Sequence, residues 1–358
     1  MSPVVCFGPN GKYIVSSDYQ LFTCSNEENV QVFLEEIKSR FSEKLKIVQV
    51  NFSANHESIF SNHKKIFNSA QAHVFILHTY KELSELTTNT LFDLSVLKFT
   101  PYLKKTEFIK KVEKIKSFIG QGRLYQVNLT SFLTCENPYQ NGLELFLNFS
   151  NLFTGQYKAY LPLDGFEILC FSPELFLEKK SNLLRTCPIK GSLGKNKNLK
   201  NDLINNSKEN SELSMIVDLL RNDFNSLSAK YSAKVVKHRD LLELNYIHHT
   251  FSEVIVESPE ELPYILSKVL PGGSISGCPK LESLKVIAEL EDHDRSFYTG
   301  CIGWWKDADF ELNLAIRSMA KYKKQLFYFA GCGIVYDSDP HKEWDEFLTK
   351  TGRLHVIE

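Results

Sequence analysis

Residues 157 to 189 read YKAYLPLDGFEILCFSPELFLEKKSNLLRTCPI, and their pattern decides the class of fold. YKAYLPL (157–163), EILCFS (167–172), ELFLEKK (174–180) and NLLRTCPI (182–189) are β-like runs that follow one another with short breaks at Asp164-Gly165, Pro173 and Ser181. Such a series is hairpin-like. Further β-like runs stand at LYQVNLTSFLT (124–134), SEVIVES (252–258), CIGWW (301–305), ELNLAIRSMA (311–320) and QLFYFAGCGIVYD (325–337). Helical patterns interrupt them in blocks, at KENSELSMIVDLLRNDF, SPEELPYILSKVL and HKEWDEFLTKTGRLHVIE. Strands in series with helices in blocks imply an α+β fold with mainly antiparallel strands, not a doubly wound parallel sheet.

Upstream, residues 1 to about 97 alternate short apolar runs such as AHVFILHTY (72–80) with polar stretches and one helical pattern, NVQVFLEEIKSRF (29–41). TPYLKKTEF (100–108) reads as a junction, because Pro101 disfavours helix at Thr100 and FIKKVEKIKSFI then shows helical spacing. That helix should stop at Gly120-Gln121-Gly122. The division expected is residues 1–100 and residues 101–358, together one compact unit.

A chain of 358 residues with 43% hydrophobic and 12% aromatic residues is globular in composition. Lys plus Arg number 42 against 43 Asp plus Glu, so no basic field favours nucleic acid or an anionic membrane. A small-molecule partner is the default. The 8 cysteines are scattered without a C-x-x-C pair and suit a reducing compartment. MSPVVCFGPNGKY lacks the pattern of a secretory signal, and no apolar run reaches the ~18 residues of a membrane span, so a cytoplasmic protein is expected. The N-x-S/T sequons at Asn51, Asn128 and Asn148 then carry no glycosylation meaning.

Carboxylate spacing carries the first chemistry. Glu209 and Glu212 stand three apart in KENSELSMIVDLL, and Glu343 and Glu346 repeat the step in HKEWDEFLTK, with Lys350 one turn further along the stripe. An E-x-x-E pair alone is most often a wet helix face. Two such pairs on facing helices would form an all-oxygen cluster suited to Mg²⁺. Gly331 and Gly333 let backbone N–H groups approach a ligand, for which a carboxylate is the natural guest, and PGGSISGCPK (271–280) feeds a helix start that also suits an anion. It lacks the spacing of a phosphate-binding P-loop.

Taken together, GRLYQVNLT, FSPELF, TCPIKGS, KENSELSMIVDLLRND, IHHTFSEV, PGGSISGCPK, SFYTGCIGW, LNLAIRS and AGCGIVYDSDPHKEWDEFLTK resemble the chorismate-utilising enzymes, over about residues 102–358 and in family order. The resemblance implies a large two-sheet sandwich flanked by helices and Mg²⁺-dependent chemistry on chorismate. It implies that Glu209, Glu212, Glu343 and Glu346 surround the metal, which grips the ring carboxylate. Arg317, Lys350 and the backbone of Gly331 to Gly333 would hold the second carboxylate, and Tyr298 would line the ring. A dianion needs such matched cations, since desolvating it alone is expensive. Glu174 of FSPELF is implied to be the acid–base residue that protonates the departing C4 hydroxyl. His249, beside His248, would support the ring, and Ser192 keeps the hydroxyl of the family's usual Thr.

Within the family, two positions separate the chemistries. Members that add water at C2 carry a lysine base where this chain has Gln126, and glutamine cannot deprotonate water. Anthranilate-forming members have Ala where Lys190 stands. The Pro-Ile-Lys-Gly pattern is that of the aminodeoxychorismate-forming members, in which the lysine attacks C2. Ammonia then adds at C4 and expels the lysine, so two displacements place nitrogen with geometry retained. The lysine must react as the neutral amine. Compared with the family, residues 1–100 are a shortened N-terminal portion, without an LLES-type tryptophan motif or a glutaminase Cys-His-Glu set. Ammonia is therefore expected from a separate glutamine amidotransferase subunit. The rival readings are an anthranilate-forming enzyme and an inactive amidotransferase-binding subunit.

Overall fold

The computed structural model of the chain describes residues 2–67, 70–194, 207–228, 232–243, 247–352 and 354–357; the side chains of residues 191–194, 207–212, 242–243 and 247–249 lie outside that description. Its strands are β1 (Val4–Phe7), β2 (Tyr13–Cys24), β3 (Lys46–Val50), β4 (Ala72–Leu83), β5 (Lys98–Pro101), β6 (Gln126–Glu136), β7 (Tyr157–Pro162), β8 (Glu167–Ser172), β9 (Leu175–Lys180), β10 (Leu183–Cys187), β11 (Ile189–Gly194), β12 (Lys234–Glu243), β13 (Ile247–Glu257), β14 (Gly277–Cys278), β15 (Cys301–Lys306), β16 (Asp309–Leu314), β17 (Ser318–Tyr322), β18 (Gln325–Ile334) and β19 (His355–Val356). The helices are α1 (Val30–Arg40), α2 (Lys105–Gly120), α3 (Gly142–Ser150), α4 (Ser207–Asn225), α5 (Leu262–Val269), α6 (Gly273–Ser276), α7 (Lys280–Leu290) and α8 (Pro340–Thr349). Among the described residues, no helix is long and apolar enough to cross a membrane.

Pairing runs continuously and is antiparallel except between β5 and β19. It forms two layers. In the first, β13 lies between β12 on one side and β10 and β11 on the other, and the order continues β10, β9, β16, β15, β3, β4, β2. The β1–β2 pairing joins it to the second, β1, β7, β8, β17, β18, β6, edged by β5 and β14. Ile47, Phe75, Leu175 and Ile302 of the first layer share an apolar cluster with Cys6, Ala159, Ile168 and Phe329 of the second. Their strand neighbours, such as Val48, Val74 and Leu169, pack instead with helical residues including Leu34, Val112, Phe149, Ile216 and Phe347. Alternation thus fills both faces, as the two-residue period of a strand requires. The α+β, mainly antiparallel sandwich with flanking helices is the architecture expected.

Details differ where the chain changes layer. β7 pairs with β8 and β9 with β10, but β8 and β9 do not pair, because Pro173-Glu174 carries the chain from the second layer to the first. ELNLAIRSMA, one run by pattern, is two strands: β16 beside β9, then β17 beside β8. Arg317, with φ of 51°, makes the turn between them. A non-glycine residue there is strained, so its surroundings must hold it. The helix α3 was not expected from its aromatic sequence, and the Asn141 side chain caps it by accepting from the Glu144 N–H at 3.2 Å. The C-terminal helical pattern ends at Thr349. The α2 helix ends at Gly120, where the glycines placed its stop.

Candidate active site

Both layer crossings carry site residues. At the first, the Glu174 N–H donates to Ser172 Oγ at 3.2 Å, Ser172 Oγ donates to the Leu314 carbonyl at 2.6 Å, and the Leu314 N–H donates to the Glu174 carbonyl at 3.1 Å. The turn after β8 is therefore locked to the end of β16. Its buried carboxyl lies in a field to which the Ile189 N–H, the Ser274 hydroxyl and the ammonium groups of Lys190 and Lys350 contribute. Burial pushes Glu174 up to about 7, against the pull of Lys190 and those donors. A carboxyl poised there can give a proton near neutral pH and take one back.

Lys190 enters from β11. It faces Thr250 of β13, whose Oγ1 donates to the Lys190 carbonyl at 2.6 Å, and the register shifts between Lys190 and Ser192. The half-buried Lys190 side chain reaches toward β18: a Cβ at Gly333 would lie 4.0 Å from its Nζ and 2.7 Å from Gln126 Nε2. The missing side chain of Gly333 is the space in which the buried Gln126 carboxamide sits. Three strands thus bring Gln126, Lys190 and Gly333 together, and Glu174 joins them through Lys190.

At the second crossing, Arg317 Nη1 donates to the Lys350 carbonyl, which also accepts the Tyr328 hydroxyl at 2.8 Å. Lys350 Nζ donates to the Gly331 carbonyl at 2.7 Å and pairs with Glu346 at 2.6 Å. Arg317, Lys350 and Gly331 are therefore one cluster, and the ammonium of Lys350 reaches Glu174 electrostatically. Tyr298 is buried, its ring stacked on Phe329 at 5.2 Å, and burial raises its phenol while Arg295 and Arg317 act on it.

On α8, Glu343 is buried and accepts from Ser338 Oγ at 2.6 Å, and Glu346 is about half exposed. Ligand atoms of Glu343, Glu346 and Cys332 lie within 4.8 Å of one another. Two converging carboxylates, one of them buried, fit a hard divalent cation as far as this half of the set goes. Glu209 and Glu212 lie on α4, which packs its Leu213, Ile216, Val217 and Leu220 inward, but their side chains are outside the described residues. Ser192 and His249 are cross-strand partners on β11 and β13, and their side chains are likewise outside the description. Sequence reasoning missed Ser274 and Cys332. The first stood in a loop read for its backbone, and the second was counted only among the scattered cysteines.

The chain matches the model of the chorismate binding enzyme family over residues 18–355. It is 36% identical over 249 residues to aminodeoxychorismate synthase component 1 of Bacillus subtilis, covering 66% of this chain and 52% of that protein. Over 335 residues it is 30% identical to anthranilate synthase component 1 of Aquifex aeolicus, covering 89% of this chain and 65% of that protein. The chain therefore spans between half and two thirds of these relatives. Among solved structures, anthranilate synthase component I of Streptococcus pneumoniae superposes with a TM-score of 0.82 at 24% identity, covering 98% of this chain and 91% of that one, a likeness of fold. This chain belongs to the chorismate binding enzyme family.

Proposed function

We propose that the protein is the chorismate-converting component of an aminodeoxychorismate synthase. It turns chorismate and ammonia into 4-amino-4-deoxychorismate and water, for 4-aminobenzoate and folate synthesis, with ammonia from a separate glutamine amidotransferase subunit. One observation carries the reading: a primary amine, Lys190, and a carboxyl poised at about 7, Glu174, meet beside Gln126, which cannot act as a base toward water.

Lys190 forms its N–C bond at C2 as the ring double bond shifts and the C4–O bond breaks, and Glu174 gives its proton to the departing hydroxyl so that water leaves. Glu174, now a carboxylate, takes the proton released by the alkylated amine. Ammonia then bonds at C4, the double bond shifts back, and the C2–N bond breaks. The proton that ammonia loses returns to Lys190. Arg317 and Lys350 hold one substrate carboxylate. Glu343 and Glu346, with Glu209 and Glu212, would hold Mg²⁺, which when bound neutralises the other carboxylate.

An anthranilate synthase remains the second reading, favoured by the longer match to the Aquifex aeolicus protein. Incubation with chorismate, Mg²⁺ and an ammonium salt, followed by mass and NMR analysis, separates them. The expected product is 4-amino-4-deoxychorismate; anthranilate with pyruvate would overturn the reading.

A further inference from the structure

The donor set beside α8 is not all oxygen. Cys332 stands between Gly331 and Gly333 on β18, and strand alternation turns its side chain the other way from theirs. Its Sγ donates to the Glu343 carbonyl at 3.4 Å, which places the thiol against α8. Sγ and one carboxylate oxygen each from Glu343 and Glu346 lie within 4.8 Å of one another. Other contacts orient both carboxylates. Glu343 Oε1 accepts Ser338 Oγ at 2.6 Å, Ser338 Oγ accepts the Val335 N–H at 3.1 Å, and Glu346 Oε1 lies 2.6 Å from Lys350 Nζ. Cys332 and Glu343 are buried, whereas the half-exposed Glu346 opens the cluster to solvent.

We infer that this cluster is also a site for a thiophilic divalent cation such as Zn²⁺, bound by the Cys332 sulfur together with Glu343 and Glu346. A hard ion such as Mg²⁺ prefers carboxylates and water and gains nothing from a thiol. Zn²⁺ is borderline-soft and takes sulfur as readily as oxygen. On binding, the S–H bond breaks, its electron pair forms the S–Zn bond and the proton leaves to water. No oxidation state changes. Donors that share one zinc ion stand about 3–4 Å apart, so closing from 4.8 Å takes a side-chain rotation, for which the half-exposed Glu346 has room. The same two carboxylates cannot serve both ions, so Zn²⁺ displaces Mg²⁺ and arrests turnover. That consequence rests on the Mg²⁺ reading above; the zinc–sulfur bond does not.

The test is zinc K-edge X-ray absorption on the full chain with equimolar Zn²⁺, free of Mg²⁺ and substrate. The wild type should show a sulfur neighbour at about 2.3 Å beside oxygens at about 2.0–2.2 Å. Cys332→Ala should lose the sulfur and keep the oxygens. Cys187→Ser and Cys278→Ser, at the two half-buried cysteines, should leave the spectrum as it was. In competition with a chelator, Cys332→Ala should bind Zn²⁺ about tenfold more weakly or worse, a loss that even an outer partner of a metal brings. A wild-type shell without sulfur, a sulfur neighbour that persists in Cys332→Ala, or an unchanged Zn²⁺ affinity overturns the inference. The wild-type spectrum depends on no variant folding and on no product. A zinc–sulfur bond in a protein whose Mg²⁺-supported turnover survives saturating Zn²⁺ would uphold the zinc site and overturn the Mg²⁺ reading instead.

Discussion

Glu174 and Glu291 are both sealed from water, at 8% and 3% exposure, and folding leaves them in opposite states. Burial dominates at Glu174 and holds it up at about 7. At Glu291 burial pushes the same way, but the Arg295 guanidinium, with Nε at 2.8 Å and Nη2 at 2.6 Å, outweighs it and brings the carboxyl below its usual range. The Thr130 N–H adds a further donor at 2.7 Å. A two-pronged partner makes a permanent anion, which ties α7 to β6 and to the α6 loop. Glu174 has a hydroxyl, one backbone N–H and ammonium groups in place of a fork, and it stays able to change charge. Geometry of the partner, rather than depth, separates the structural acid from the chemical one.

The comparison breaks most sharply by exchanging each acid for its amide. Glu174→Gln should lower kcat by roughly 10²–10⁴ while leaving the fold intact, the usual cost of losing a general acid. Glu291→Gln or Arg295→Met leaves a buried charge without its partner and should cost about 3–5 kcal/mol in urea unfolding. Were Glu174→Gln the destabilised protein and Glu291→Gln the inactive but stable one, the assignment would be reversed.

Stability against pH sharpens the same contrast. The folded state of Glu174 holds its proton up to about 7, above the ordinary 4.5, so its contribution is full below 4.5 and is lost as pH rises toward and through 7. Glu291, depressed by Arg295, contributes above the unfolded value and loses this as pH falls through its folded one. In metal-free protein, Glu174→Gln should match the wild type near pH 5 and exceed it near pH 8 by at most about 3 kcal/mol. Equal stability of the two proteins at both pH values would show that Glu174 is not held up by folding. Gly333→Ala should act least. Its Cβ would press on the far end of Gln126 at 2.7 Å and reach ordinary contact with Lys190 Nζ at 4.0 Å, so the fold should hold and kcat should fall about tenfold as the amide is pushed from beside Lys190. An unchanged kcat would mean that the Gln126 position does not matter.

How far these features can be read in the chain depends on whether they are local. The β-like runs between 157 and 189 and the glycine stop after α2 follow from neighbouring residues, and the structure bears them out. The break in ELNLAIRSMA does not. Alternation tells which residues face inward but not which layer a strand joins, and Arg317 turns between layers at a left-handed φ where no glycine marks the turn. Glu174 was placed as the acid by resemblance, yet its state is set by Ile189, Lys190, Ser274 and Lys350, which no sequence window contains together. Lys190 was singled out by the Pro-Ile-Lys-Gly pattern alone; the register irregularity that follows it in β11, and the approach of its amine to the space beside Gly333 where the Gln126 amide sits, come from strands distant in sequence.

The central claim is that Lys190 bonds covalently to the substrate. Protein quenched in acid during turnover of chorismate with Mg²⁺ and limiting ammonium should gain the mass of chorismate less water, and peptide mapping should place the gain within TCPIKGS. Lys190→Ala should show no such gain and should lose most formation of 4-amino-4-deoxychorismate, with chorismate still bound through Arg317 and Lys350. An unmodified Lys190 throughout turnover, together with a Lys190→Ala enzyme that makes the same product at the wild-type rate, would contradict the account.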